Sequence, residues 1–329
     1  MYSHSDRSQN STETIPTPQL ATELLEEELK MKVMSIERFT TGLSHFVYDV
    51  TTTTGDKYVV RIAHRNNENF KGALYWYPLL LSKNVPLREI LYADEDGKKY
   101  GFPAMILKRL NGSDLGVIYD QLSLSQKHKI VDEIISMQST VGTLPPISGF
   151  GYVDSHNDTS MKNNWLSVLI DKLEQAEKRI IKSDIINTKT IQQMKKALYL
   201  HQDYFEQIES VAFLDDITTK NVIVNNEGKL SGIVDVDWVT FGDPLLTVAL
   251  TRMSLFAMKR DTEYTDYWLE KINPNDAQKR AMDLYTALFA IEFISEKGHK
   301  FNKAKTEPVN TRDLALLVEV FRSMIKLPL

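Results

Sequence analysis

Asp216, Asn221 and Asp235 are the residues whose types and spacing could do chemistry together. They border two short apolar runs, Asn221-Val222-Ile223-Val224 and Leu230-Ser231-Gly232-Ile233-Val234, joined by Asn225-Asn226-Glu227-Gly228. Asn-Glu-Gly between apolar runs is a β-hairpin signal. A hairpin holds its two ends side by side, so the segment Phe213 to Asn221 before it should meet the segment Asp235 to Pro244 after it. Three oxygen-bearing side chains at one spot can orient an attacking hydroxyl and bind hard cations. Phosphoryl transfer asks for those jobs: a carboxylate aligns the nucleophile and takes its proton, while an Asn and an Asp hold Mg²⁺ on the phosphates. A plainer reading has Asp215 and Asp216 capping a turn and Asp235 and Asp237 decorating a loop. It serves for any one of these acids alone. The ordered set around a hairpin favours the chemical reading.

The elements that must position this set fall into two stretches. Leu20, Leu24, Leu25 and Leu29 recur at helical spacing. From Ile36 to Ile62 the pattern changes to strands, with Phe46–Val50 and Lys57–Ile62 flanking a turn at Thr54-Gly55-Asp56. A helix over Phe70 to Leu81 follows, then strands near Arg88–Tyr92 and Phe102–Leu107 around the turn Asp94-Glu95-Asp96-Gly97. Beyond Leu110-Asn111-Gly112 the chain reads as helical. Ile130, Ile134, Met137 and Val141 form one buried stripe. Further helices are predicted over Trp165–Ile181, Thr190–Ile208, Asp283–Ile294 and Asp313–Ile325, with the hairpin as the single β insertion among them.

Length and composition bound the possibilities. The chain has 329 residues, too many for one ordinary core and suited to two lobes. It is 42% apolar and 25% charged, which places it among globular chains. The net charge is −5 and no Lys/Arg block is long enough to track a phosphate backbone, which argues against nucleic-acid binding. There are no cysteines, so disulfides, thiol nucleophiles and Cys-based zinc sites are excluded. The seven histidines are scattered without metal-ligand spacing. Residues 1–18 read as a polar tail without a signal peptide's apolar stretch, and no apolar run reaches the length of a membrane span. These features suit a cytoplasmic protein with no membrane partner.

The segment around the hairpin resembles the catalytic region of the aminoglycoside phosphotransferase-like kinases, a superfamily that includes antibiotic, choline and fructosamine kinases. Their stretch usually reads His-Gly-Asp-x-x-x-x-Asn, followed by a hairpin, Ile-Asp-Phe/Trp and, eight residues after that Asp, the Asp of Gly-Asp-Pro. The counterparts here are Leu214-Asp215-Asp216 through Asn221, then Val234-Asp235, then Gly242-Asp243-Pro244. The interval to Asp243 selects Asp235 over Asp237. The resemblance implies an α+β, two-lobed protein-kinase-like fold: a small antiparallel β-sheet lobe over residues 19–110 and a mostly helical lobe with the catalytic hairpin over 111–329. It implies Asp216 as catalytic base, Asn221 and Asp235 on Mg²⁺, and ATP, or GTP, as phosphate donor.

The likeness extends upstream. Phe39 to Tyr48 looks like the family's nucleotide loop, usually Gly-Gly-x-Ser-Asn-x-Val-Tyr, which places Gly42, Ser44 and His45 at the cofactor. A Gly there lets the backbone approach phosphates, and Ser44 could donate to one. Tyr58-Val59-Val60-Arg61-Ile62 resembles the strand whose basic residue grips the triphosphate, a task suited to a bidentate guanidinium. Leu107 to Leu110 would be the interlobe hinge, offering backbone groups of Lys108 and Leu110 to the base. Val85-Pro86, Gly149-Phe150-Gly151 and Asn164-Trp165 also sit in family order, so the likeness covers residues 30 to 300.

Departures from the pattern are equally specific. Leu214 stands where the family has His and can pack but not hydrogen-bond. Asp215 stands where it has Gly, and a second carboxylate should raise the pKa of Asp216 if both are poorly solvated. The helix after Arg61 lacks the family's Glu; Glu68 at its start either fills that role or leaves Arg61 to phosphate alone. Asp243 is expected to brace its loop by capping backbone amides. Glu292 could receive a cationic substrate, though an exposed helix acid is more often only solvated. The first functional reading is an ATP- or GTP-dependent, Mg²⁺-dependent kinase acting on a hydroxyl of a small molecule: an antibiotic, an amino sugar or a choline-like alcohol. The second is a weakened relative that binds nucleotide or a partner without turnover. A protein kinase is disfavoured because His-Arg-Asp, Asp-Phe-Gly and Ala-Pro-Glu are all missing. The acceptor and the oligomeric state stay open at this level.

Overall fold

The computed structural model describes residues 15–39, 42, 44–63, 69–303, 306 and 308–325. Most of the predicted tail, together with Thr40, Thr41, Leu43 and Glu68, lies outside the described residues. The chain divides into two compact units: Met1–Asn69 with Leu91–Leu107, and Phe70–Ile90 with Lys108–Leu329. One division falls between Leu107 and Lys108, and Phe70–Ile90, which holds the helix predicted over Phe70 to Leu81, is grouped with the helical part of the chain.

The first unit is a helix on a sheet. Helix α1 (Pro18–Leu29) starts at Thr17, whose hydroxyl accepts from the Leu20 amide, with Pro18 at the first position where no amide hydrogen is needed. Strands β1 (Val33–Phe39), β2 (Phe46–Thr52), β3 (Lys57–Ile62), β4 (Ile90–Asp94) and β5 (Ala104–Lys108) form a five-stranded sheet in the order β1-β2-β3-β5-β4. Both pairings β1–β2 and β2–β3 are antiparallel. Strand β2 alternates strictly, burying Phe46, Tyr48, Val50 and Thr52 on one face. Ala21, Leu24 and Leu25 of α1 are fully buried in the same core.

The second unit is mostly helical. In chain order it holds α2 (Lys71–Ser82), β6 (Ser113–Asp114), α3 (Leu115–Ile118), α4 (Leu124–Val141), β7 (Gly151–Val153), α5 (Trp165–Ser183), α6 (Lys189–Leu200) and α7 (Gln202–Glu206). Then come β8 (Val211–Phe213), β9 (Val222–Val224), β10 (Leu230–Ile233), β11 (Val239–Gly242), α8 (Leu245–Ala257), α9 (Glu263–Ile272), α10 (Asp276–Glu296) and α11 (Thr311–Ile325). Helix α10 packs against α5, α8 and α11 and buries Leu284, Leu288 and Ile291, the predicted stripe. Its start is a capping box between Asn275 and Gln278.

Two expectations need correction. The helix predicted over Thr190–Ile208 is two helices, α6 and α7, because the backbone leaves helical geometry at His201 (φ −118, ψ 20). The hairpin is also not the only β structure of this unit. Two three-stranded sheets occur, β10-β9-β6 and β7-β11-β8. Their strands are two to four residues long, too short for an alternating pattern to stand out. Among the described residues no helix is long and apolar enough to cross a membrane.

Candidate active site

The hairpin predicted from sequence is β9–β10. Its register pairs Ile233 with Val222, and the next rung is a hydrogen bond from the Val234 amide to the Asn221 carbonyl at 2.9 Å. Asp235 therefore follows directly on the residue bonded to Asn221. The buried Asn221 donates its side-chain Nδ2 to the Asp216 carbonyl at 2.9 Å, which ties both ends of the ribbon to the segment before it. With that nitrogen engaged, the amide oxygen is the atom of Asn221 left to ligate a cation. Asp235 is exposed and sits in the left-handed region at φ 64. Such a conformation costs most non-glycine residues about 1 kcal/mol or more, and Asp is among those that tolerate it best. Asp216 is half-buried; its Oδ1 accepts from the Thr218 hydroxyl at 2.9 Å and its Oδ2 lies 3.7 Å from the Lys220 ammonium. Partial burial works against the charge on Lys220, but Asp216, Asp235 and Glu296 outweigh it and raise its pKa. One ammonium thus senses both aspartates: a carboxylate, an amide and a second carboxylate share one end of the ribbon.

What holds this segment still is a set of side chains absent from the sequence reading. The Leu214 amide donates to Gln138 Oε1 at 3.0 Å and Gln138 Nε2 donates to the Leu214 carbonyl at 2.6 Å. The Thr247 hydroxyl reaches the carbonyls of Leu214 (2.6 Å) and Asp215 (3.1 Å), and the Thr251 hydroxyl reaches that of Ile217 (3.1 Å). Leu214 itself only packs, being buried. Its backbone is bonded from α4 by Gln138 and from α8 by Thr247.

Asp215 differs sharply from its neighbour. It is buried and accepts from Trp238 Nε1 and the Thr240 hydroxyl, both at 3.1 Å. Burial, then the charge of Asp216, pushes its carboxyl up to about 6, against the pull of Lys172 and the two hydrogen bonds. Asp215 is the more buried of the two neighbouring carboxyls. Glu292 is also corrected. It is neither a free receptor nor a solvated acid: Lys172 holds it at 3.0 Å, with both side chains largely buried. Burial opposes the charge on Lys172, yet Glu292, Tyr152 and Asp215 together raise its pKa. One turn further along α10, burial and then Glu292 push Glu296 up to about 7, while Lys220 and Arg179 oppose them.

The other family-ordered pieces also meet in this unit. Asp243 Oδ1 accepts from the Leu245 amide at 3.0 Å, the brace foreseen, and its Oδ2 accepts from Tyr204 (2.8 Å) and Tyr285 (2.7 Å). Tyr285 in turn accepts from Trp165 Nε1 at 2.7 Å. Gly242 has φ +159, and a Cβ there would run into the Trp165 ring, so the Gly-Asp pair and Trp165 form one packed corner. The Pro86 carbonyl accepts from the Ile233 amide of β10 at 3.0 Å. Helix α2 carries no acid. Its Gly72 lies so near the Asp237 carbonyl that a Cβ would collide, and Trp76 Nε1 donates to the Val153 carbonyl at 2.8 Å. Trp76 and Tyr77 are thus packing residues, with Tyr75 the exposed member of the three.

In the first unit, Arg61 is buried on β3, and its guanidinium lies 2.8 Å from Nδ1 of His45. Gly42 has no backbone need for glycine, but an added Cβ would meet only the His45 carbonyl at 3.9 Å, so its surroundings are open. Ser44 is exposed. Lys108 is exposed and Leu110 buried.

Comparison with known proteins identifies the chain. A family model described as the phosphotransferase enzyme family matches residues 35–282. No curated sequence matches. Among solved structures, a thermostable variant of the aminoglycoside phosphotransferase APH(4)-Ia, in a ternary complex with AMP-PNP and hygromycin B, is 16% identical. The TM-score is 0.68, covering 93% of this chain and 97% of that one. A variant of an aminoglycoside 2'-phosphotransferase in complex with GDP is 12% identical with TM-score 0.63, over 93% and 96% of the two chains. A candidate fructosamine-3-kinase from Thermobifida fusca YX-ER1 is 11% identical with TM-score 0.58, over 93% and 98%. The fold is therefore the α+β, protein-kinase-like one expected, and the chain belongs to the phosphotransferase enzyme family.

Proposed function

We propose that this phosphotransferase is a small-molecule kinase, transferring the γ-phosphoryl group of ATP or GTP to a hydroxyl of a small acceptor. Asp216 is the general base, Asn221 and Asp235 hold Mg²⁺, and Arg61, with the backbone near Gly42, Ser44 and His45, holds the phosphates. Backbone groups of Lys108 and Leu110 receive the nucleobase. The observation that supports this reading is the chain of bonds from Val234 to Asn221 to Asp216, which brings two carboxylates and an amide to one ribbon end. Similar folds crystallised with AMP-PNP, hygromycin B and GDP support a nucleotide donor and a small acceptor.

In the reaction, the acceptor oxygen forms a bond to the γ-phosphorus while the bond to the bridging oxygen breaks, releasing a nucleoside diphosphate. The hydroxyl proton passes to a carboxylate oxygen of Asp216. Bound Mg²⁺ would neutralise charge on the phosphates at the Asn221 and Asp235 oxygens. The Gln138, Thr247 and Thr251 bonds keep the base from drifting, a preorganisation that makes positioning effective. The test is a panel of hydroxyl compounds scored for MgATP- and MgGTP-dependent diphosphate release. Asp216→Asn should lower it by about 10²–10⁴. Release untouched by that change removes the assignment.

A further inference from the structure

Of the four tryptophans, Trp76, Trp165 and Trp268 are buried, while Trp238 is 45% exposed. A single exposed apolar side chain is ordinary on a protein surface. Anchoring and place set this one apart. Its backbone leads directly into β11, which pairs Val239 with Val153. Its Nε1 donates to Asp215 Oδ1 at 3.1 Å. Its ring meets that of Tyr152 edge to face, with 6.1 Å between centroids and 88° between planes. Asp215 is itself held by the Thr240 hydroxyl, and Thr240 faces Tyr152 across the β7–β11 pairing. The indole is thus bonded to the residue directly before Asp216 and stands three residues after Asp235.

We infer that Trp238 is a stacking platform for the acceptor, that Asp215 positions this platform, and that the acceptor is a ring-shaped hydroxyl compound, a sugar or a cyclitol. The inference rests on the kinase reading, which supplies the acceptor. A six-membered sugar or cyclitol ring presents C–H groups on its face and hydroxyls around its rim. Its face can cover an indole, an apolar contact that aromatic rings reward, while a rim hydroxyl is offered to the base. An open-chain alcohol gains the same cover only by freezing its rotatable bonds, which costs affinity. Charge on the ring plays no part in this contact. The anchoring also gives Asp215 a task that Gly, the residue of the related pattern at this position, has no side chain to perform.

Steady-state kinetics on the full chain test this, with methyl glucoside, myo-inositol and kanamycin A as ring probes against sorbitol, ethanolamine and choline as open-chain ones. The best ring should exceed the best open chain at least about tenfold in kcat/KM. For that ring, Trp238→Ala should raise KM about tenfold and leave kcat and the KM for MgATP within about twofold, as loss of ground-state binding does. Trp238 is exposed enough for truncation to spare the core. Asp215→Ala should raise the same KM, and Asp215→Asn, whose amide oxygen still accepts from the indole, should restore it. An open-chain probe preferred over every ring, or an unchanged KM in Trp238→Ala, overturns the inference. Acrylamide quenching of tryptophan fluorescence is read separately, because Trp238 is the exposed indole. A ring probe should protect the natural chain and not Trp238→Ala. Protection without turnover would defeat the kinase reading and leave the platform in place; turnover without protection would defeat the platform alone, and loss of both would defeat both.

Discussion

The core of the β-rich unit and the seat of the catalytic segment are held by different forces. In the first, Leu24 and Leu25 of α1 face Phe46, Tyr48 and Val50 of β2, and apolar burial does the work. In the second, Gln138, Thr247 and Thr251 bond the backbone carbonyls and amide of residues 214 to 217, and directional polar contacts do it. Burial tolerates small shifts because it has no preferred direction. Hydrogen bonds to three successive stretches of backbone do not, and a general base needs its oxygen placed to within a fraction of an ångström. On the role proposed for Asp216, fold stability and catalytic position depend on different residues.

The comparison can be broken by substitutions of decreasing effect. Leu24→Ala should destabilise the β-rich unit by about 2–5 kcal/mol through its cavity, with kcat intact while the chain stays folded. Differential scanning calorimetry beside an activity assay reads both. A kcat loss comparable to that of the catalytic variants would erase the distinction. Asp215→Asn comes next. The folded chain holds a proton on Asp215 up to about pH 6, whereas the ordinary carboxyl value is 3.8, so its contribution to stability falls as pH rises from about 4 to 6. The variant should lose that slope and be more stable near pH 7 by about 1–3 kcal/mol, measured by urea unfolding across pH. A slope that survives would place the proton elsewhere. Thr247→Val should cost about 1–2 kcal/mol, since two buried carbonyls lose a donor. Its kcat should nevertheless drop about tenfold, more than for Leu24→Ala, because the Asp215 carbonyl directly before Asp216 loses the Thr247 donor and Leu214 keeps only Gln138.

How far the sequence could be read follows the same division. Apolar periodicity exposed α1, β2, β3 and the stripes of α4 and α10, and the turn chemistry of Asn225 to Gly228 exposed the hairpin. The ordered acids around it pointed to the site. The supports did not show, because a Gln in α4 or a Thr in α8 looks like any other helix residue until the backbone it bonds is known. The short strands β7, β8 and β11 were hidden by length, and the break at His201 had no Gly or Pro to announce it. The pairing of Lys172 with Glu292 spans 120 residues, a separation no local pattern reports.

Manganese EPR in the presence of ATP tests the joint role of Asp216, Asn221 and Asp235 most directly. Asn221→Ala and Asp235→Asn should lose the bound-Mn²⁺ signal and turnover together, whereas Asp216→Asn should keep the signal and lose about 10²–10⁴ in turnover. An Asp235→Asn chain that still binds Mn²⁺ and still turns over, or an Asp216→Asn chain with full activity, would contradict the account.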